Sequence, residues 1–519
     1  MRHPPTLMAI AYALIGTTVC GSASAQVAVW KKGQTEFEPP GYSKVDRTNE
    51  VGVDFGQAAP APEEIDLITI TPAAEPVPPL KYEFWWHDFR RNPGDASLAV
   101  SRAINQYLAI AQRKQLDKTY AEETRKWDEF PGRLSEPLVD FLSQHRDVLN
   151  VLYAALEMRD GHSETVTGTK SGFTSESSVR LAEIQQLRAL ARLIQLDVAH
   201  ELANGRFDDA IRKLRCGFRL AKHATVVADF TLVGNLVGMA TTGIMLGEVE
   251  KLAGQPDAPN TYWALASLTD RNWDFRSAIY GELQNIERLS PGLFNEVDAN
   301  ASEVVASRKL IESVQGFLEE TWSLGAASSE EKEVQVKLLA GTALLAFEPI
   351  CREDLRDRST FPELDNVANI APSTAVLLST GRQLKNEFQQ IAKWCLLPDG
   401  TASDPLDKAM QNFSVMEGGV KPHKILAGLL LPAFQAAESA SNRTANTVRR
   451  QMFIEALRAY AAKHGTLPES LDDPILPYPL QSPSRRPFGY ECIDTNNALL
   501  RYEPGWPGDK GVVRIKLAN

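Results

Sequence analysis

The chain has 519 residues, of which 43% are hydrophobic and 23% charged, enough for two or three domains with ordinary buried cores. Its formal net charge of −11 and pI near 5.4 argue against a nucleic-acid partner, since phosphate binding needs a concentrated basic face. The nearest basic run, Arg449-Arg450, falls on the polar side of a helical pattern and reads as a solvated face.

In chain order, residues 1–25 read as a cleavable signal peptide. Arg2 and His3 precede an apolar run from Leu7 to Gly16, too short to span a bilayer, and Ala23-Ser24-Ala25 before Gln26 is the small-x-small pattern of a signal peptidase site. Cys20 raises the rival reading of a lipoprotein, but Thr17, Thr18 and Val19 before it do not make a lipobox. The expected location is therefore outside the cytoplasm, in the periplasm or cell envelope, with no transmembrane segment after cleavage. Removal of the leader leaves Cys216, Cys351, Cys395 and Cys492, an even count but no framework. At most one disulfide is expected, Cys351 with Cys395, because both follow helical stretches in the same body. No Cys-x-x-Cys occurs.

Residues 26–80 are rich in proline, with one strand-like run at Ile65 to Ile70, and read as a linker or an extended arm lying on the main body. The aromatic knot of Tyr82, Phe84, Trp85, Trp86 and Phe89 marks the start of a body at 81–420. It reads as packing in preference to a ligand platform. The body pattern is helical. Ile184, Leu187, Ala191, Ile194, Val198 and Leu202 recur at three and four residues, Asn204-Gly205 break the run, and Phe207, Ala210, Ile211, Leu214, Phe218 and Ala221 form a second stripe. That is an antiparallel helical hairpin. Val226 to Leu252 is strongly apolar, with Gly234-x-x-x-Gly238 and Gly243-x-x-x-Gly247, and reads as a central helix of a soluble body, since Asp229, Asn235, Glu248 and Glu250 interrupt or close it. Asn260-Thr261 before Tyr262 reads as a capped helix start. Val304, Ile311, Val314, Leu318 and Trp322 form a further stripe.

The hairpin resembles a single tetratricopeptide-type repeat in Gly205-Arg206-Phe207-Asp208-Asp209-Ala210, Leu214 and Gly217, which implies α–α packing alone. Asp197 and Glu201 stand where that family carries a leucine and a tyrosine.

Residues 421–519 resemble type II secretion pseudopilins and type IV pilins. The residues that carry this are Lys424 to Glu438, the stripe Met452, Phe453, Ala456, Leu457 and Tyr460, and His464-Gly465-Thr466-Leu467-Pro468. Pro483 to Tyr490 enters a proline-rich crossing. Strands are expected at Phe488 to Ile493, Ala498 to Glu503 and Gly511 to Leu517, with turns at Asp494 to Asn497 and Pro504 to Asp509. The resemblance implies a helix packed on a three-stranded antiparallel sheet. The apolar stretch is internal and holds Pro432, so it is no membrane anchor. Some pseudopilins bind calcium in this sheet, and Asp494, Asn496, Asn497 and Asp509 are the candidate oxygen ligands here; turn chemistry alone also favours these residue types. Taken whole, the layout resembles a family of uncharacterised exported bacterial proteins, a likeness that carries no activity across.

The fold class expected is mainly α, an irregular multi-helix body with a small C-terminal α+β module. No catalytic residue, metal centre or cofactor is indicated. The eight histidines show no ligand spacing, His200-Glu201 lacks the second histidine of a zinc protease, and His223 reads as a satisfied interior residue. Gly-x-Ser-x-Gly, phosphate-loop and dinucleotide motifs are missing, and carboxylate pairs such as Glu122-Glu123 and Asp208-Asp209 read as helix surface or caps. The leading functional expectation is a non-enzymatic binding or scaffold protein whose partners are other exported or envelope proteins. The alternative is an exported hydrolase whose site assembles only in three dimensions.

Overall fold

The computed structural model describes residues 65–86, 90–110, 134–159, 176–227, 231–268, 276–289, 293, 298–321, 329–364, 366–395, 408–409, 421–471, 488–502 and 511–518. The fold is mainly helical with a small sheet, as the periodicity implies. The chain divides into two compact units, one of Ile65–Arg288 with Arg382–Asn519, the other containing Leu289–Gly381.

The larger unit begins with strand β1 (Asp66–Ile70), where Ile68 and Ile70 turn inward and Leu67 outward. The chain beyond it is stitched down by hydrogen bonds from Thr71 N to Ala253 O (3.1 Å) and from Ala73 N to Arg458 O (3.1 Å). The aromatic knot then packs inward. Phe84 is fully buried with its ring 4.9 Å from that of Phe218, and the Arg215 guanidinium lies 4.0 Å from the Trp86 ring centroid. Phe89 lies outside the described residues.

Helices α1 (Ala96–Ala109), α2 (Glu136–Gln144) and α3 (Arg146–Leu156) follow, α1 capped by the Asp95 carboxylate on Ser97 N and Leu98 N. Helices α4 (Glu176–Ala203) and α5 (Phe207–Val227) form the expected hairpin. Gly205 stands at φ +68°, the left-handed geometry that ends α4 and lets Arg206 N reach back to Glu201 O. Leu187, Ala191, Ile194, Val198 and Leu202 of one stripe and Ala210, Ile211, Leu214, Phe218 and Ala221 of the other are buried; the Ile184 side chain lies outside the described residues. Helix α6 (Leu232–Ala253) packs on both. At Gly238 a Cβ would stand 2.7 Å from Ala221 O, so this glycine permits the close approach of α5 and α6, whereas Gly243 and Gly247 face open space. Two short helices complete this stretch, α7 (Tyr262–Ala266) and α8 (Arg276–Leu289).

The smaller unit is built from α9 (Glu303–Thr321), α10 (Ser329–Asp354) and α11 (Pro372–Cys395), the last running on past the unit boundary. The α9 stripe read from sequence is displaced here. Val304 is 75% exposed, and the buried positions are Ala306, Leu310 and Ser313, with Ile311 and Val314 at the flank. The apolar spacing is helical, and Leu310, Ile311 and Val314 pack with Ala340, Leu344 and Phe347 of α10 and Val376 and Leu377 of α11; the Leu318 side chain and Trp322 lie outside the described residues. Among the described residues two helices are long and apolar enough to cross a membrane by length and composition, Leu232–Ala253, largely buried, and Glu333–Asp354, largely exposed.

The larger unit closes with α12 (Pro422–His464), 43 residues or about 65 Å of helix, capped by Gly465 at φ +73°. Strands β2 (Gly489–Asp494), β3 (Asn497–Arg501) and β4 (Val512–Leu517) lie antiparallel in sequence order, and β1 adds parallel to β4, giving the order β1-β4-β3-β2. The three expected strands are present, and a fourth comes from the segment read as linker. Ala498 and Leu500 face the helix with Val513, Ile515 and Leu517, in the alternation expected of β3. The helix stripe is corrected in one respect. Phe453, Ile454, Leu457 and Ala461 meet the sheet, whereas Met452 and Ala456 turn to Tyr262 and Trp263 of α7. Arg450 is also no solvated residue: it bonds Glu250 (2.7 Å) and the Tyr502 hydroxyl (3.1 Å).

Beneath this junction Arg458 and Glu455 are completely buried. Arg458 donates from Nε to Thr71 O (2.8 Å), from Nη2 to Ala258 O (2.8 Å), and from Nη1 to both Glu455 oxygens (2.8 and 2.9 Å). Glu455 in turn accepts from Thr261 N (2.9 Å) at the start of α7, so the cap that sequence assigns to Asn260-Thr261 is shared between Glu455 and the Asn260 side chain, which accepts from Tyr262 N (3.0 Å). Leu457→Ala is expected to cost about 2–5 kcal/mol and to make the tail the first region cut by protease. Arg458→Met, which strands a buried carboxylate, is expected to cost about 3–5 kcal/mol. Denaturant titration and timed proteolysis read both.

Candidate functional site

The α4–α5 hairpin carries charges where a packed stripe calls for apolar side chains. Asp197 and Glu201 are one turn apart on α4, and both are buried. Lys213, buried on α5, reaches between them. Its Nζ lies 2.8 Å from Asp197 Oδ2 and also pairs with Glu201 Oε1. Asp197 further accepts from the Tyr153 hydroxyl (2.7 Å) and from Arg146 Nη1 (3.2 Å), both on α3. Glu201 pairs with Arg206 Nε across the Gly205 turn. Three helices are thus joined through one set of charges.

The electrostatics follow from burial and pairing. Burial pushes the Glu201 carboxyl up, but hydrogen bonds from Arg206 and Lys213 outweigh it and hold the group below its ordinary value of 4.5. Burial, reinforced by the neighbouring Asp197 carboxylate, drives the Tyr153 hydroxyl well above 10, so it remains a donor. Cys216, one turn from Lys213, is buried and its thiol is pushed up to about 12, chiefly by burial, which keeps it protonated and unreactive. Beside the network lies a cleft of about 430 Å³, lined by Arg146, Asn150, Glu157, Asp209 and Arg212 as well as Lys213. The Arg212 guanidinium stands 6.0 Å from the Tyr153 ring centroid.

Of the residues singled out from sequence, Asp197, Glu201, Arg206 and Asp209 belong to this network or line its cleft, and the others fall elsewhere. Cys351 is buried, and burial raises its thiol to about 11 although Ser379 and Thr380 hydrogen-bond it. The Cys395 side chain lies outside the described residues, so the expected pairing stays an expectation. Asp494 is committed to its own turn: Oδ1 accepts from Asn496 N (2.8 Å), and both oxygens accept from Asn497 Nδ2 (2.9 Å each). Asp509 and Glu122-Glu123 lie outside the described residues. Among the described residues no group of three or more His, Cys, Asp or Glu side chains is placed to hold a metal ion. His200 is half-buried and burial lowers its pKa; His223 is buried. Asp208 lies in the first turn of α5 and binds the arm, accepting from the Tyr82 hydroxyl (2.6 Å) and Lys81 Nζ (3.2 Å).

Sequence reasoning noted Asp197 and Glu201 only as departures from a repeat pattern. The signal that could have found the site was there, in two carboxylates inside an apolar stripe opposite a lysine inside another. No protein-family model, curated protein or solved structure matches the chain.

Lys213→Met leaves two buried carboxylates without their central cation and is expected to destabilise the protein by about 3–5 kcal/mol, while Asp197→Leu and Glu201→Leu added to it recover most of the loss, as denaturant titration would read. The Glu201 pairing stabilises fully above the ordinary carboxylate pKa and fades as pH falls through the lower folded value. The melting gap between the parent protein and Glu201→Gln is therefore expected to hold from neutral pH to about 5 and to close under stronger acid.

Proposed function

We propose that this is an exported cell-envelope protein that binds or scaffolds other exported components and does not catalyse a reaction. The observation that carries the reading is the state of the cleft's ionisable groups. Asp197, Glu201 and Lys213 are paired with one another, and Tyr153 is kept protonated by burial and by Asp197. General acid–base catalysis needs a group poised near the working pH and within reach of a substrate proton. Ion-paired groups and a hydroxyl that stays a donor suit recognition, where a fixed pattern of charge and donors selects a partner. The small sheet clasped to the end of α12 supports the pseudopilin-like reading of the tail in its helix-plus-sheet shape, with an added parallel strand.

Two measurements test the proposal. Intact mass of protein from an envelope fraction is expected to place the mature N-terminus at Gln26; a lipid-modified Cys20 would place the protein on a membrane instead. Affinity purification of the tagged protein from cross-linked envelope extract is expected to recover a defined set of exported proteins. Hydrolysis of a panel of ester, glycoside and peptide substrates, abolished by Arg212→Gln, would overturn the reading in favour of the hydrolase.

A further inference from the structure

We propose that the cleft beside the Asp197–Lys213 network binds a zwitterionic small molecule of amino-acid to dipeptide size, its carboxylate taken by Arg146 and Arg212 and its ammonium by Glu157. The inference rests on the binding-protein reading above and names the ligand of that site.

The charges at the cleft balance in two layers. In the inner layer Lys213 and Arg206 are matched by Asp197 and Glu201, with every pair inside hydrogen-bond reach or ion-pair distance. That layer is neutral and needs nothing added. The wall of the cleft adds two guanidiniums, Arg146 and Arg212, and two carboxylates, Glu157 and Asp209, and is also neutral. The two guanidiniums are loosely held. Arg146 reaches Asp197 with one nitrogen at 3.2 Å and keeps its side chain 44% exposed; Arg212 meets Asp209 only at 3.5 Å and is 45% exposed.

A ligand of single charge would leave one sign uncompensated in a partly desolvated site, which costs more than the contact returns. An apolar ligand would displace water from four charged groups and offer them nothing. A zwitterion replaces water at both signs and keeps the site neutral. The planar forks of two arginines suit a carboxylate, which they can grip with paired hydrogen bonds. Glu157, at the C-terminal end of α3, sits where the helix dipole also favours a cation. Asn150, one face of the same helix, supplies an amide to either group of the ligand. The volume of about 430 Å³ accommodates an amino acid or a dipeptide and falls within the range of small-ligand pockets.

The test is calorimetric titration of the full-length mature protein with a set of zwitterionic amino acids and dipeptides of varied side chain, each compared with its N-acetylated amide. Saturable binding of at least one zwitterion is expected, lost in its blocked analogue. Glu157→Gln and Arg212→Gln, which leave the inner layer intact, are each expected to weaken it about tenfold or more. Circular dichroism melting checks that each variant folds, and Asn150→Ala, with its smaller expected loss, serves if either does not. No saturable binding across the set overturns the proposal, as does equal binding of the blocked analogues or full affinity in all the folded variants. If the zwitterions fail while envelope proteins still co-purify with the parent protein, the ligand assignment falls and the binding-protein reading stands; if neither binds, both fall.

Discussion

The larger unit depends on a buried ion pair at the junction of its sheet and helices. Arg458 and Glu455 are one turn apart on α12 and fully excluded from water, a placement that costs several kcal/mol per charge unless geometry and hydrogen bonding compensate. Here the compensation comes from the backbone. Thr71 O, Ala258 O and Thr261 N are all taken up by this pair. Those groups belong to the chain after β1 and to the loop leading into α7, neither of which has a regular partner for them. The pair thus satisfies irregular backbone that burial would otherwise leave unbonded, and in doing so it decides where β1 lies relative to α12. A parallel fourth strand, distant in sequence from the other three, follows from that anchorage.

The charges of the α4–α5 hairpin work by the same physics with a different result. At the Arg458 site the guanidinium is held by backbone carbonyls and by the buried Glu455 carboxylate, all of them fixed and out of solvent. At Lys213 the partners are side chains from α3, α4 and α5, and the outer ones are half in solvent. A hydrophobic leucine or tyrosine at Asp197 and Glu201 would pack the same hairpin at less desolvation cost. What the charges add is a polar wall at a junction of three helices, which is the property a recognition site requires.

Periodicity carried the helices well, because a stripe at three and four residues has one stable interpretation in water. It carried which face packs less well. Met452 and Leu457 belong to one apolar arc by spacing, yet the sheet takes Leu457 and α7 takes Met452, since α12 has buried neighbours on two sides. Val304 belongs to the α9 stripe by spacing and is left exposed, because the face of α9 is chosen by the helix it meets. The candidate site was legible only as an anomaly. Asp197 and Glu201 break a repeat-like pattern, but nothing local says that Lys213, sixteen residues beyond Asp197 and across a turn, and Tyr153, on another helix altogether, close on the same point.

The sequence by itself determined the helical character of the body, the hairpin turn at Gly205, and the helix-then-strands order of the tail, all of which rest on local rules of spacing, backbone freedom and turn chemistry. Only the tertiary structure decided that the run at Ile65 to Ile70 leaves the proline-rich arm to become a strand beside β4, that Arg450 is bound instead of solvated, and that four charges meet between three helices. Each of these depends on groups far apart in the chain finding hydrogen-bond and charge partners, and pairing at a distance leaves no periodic mark along the residues that take part in it.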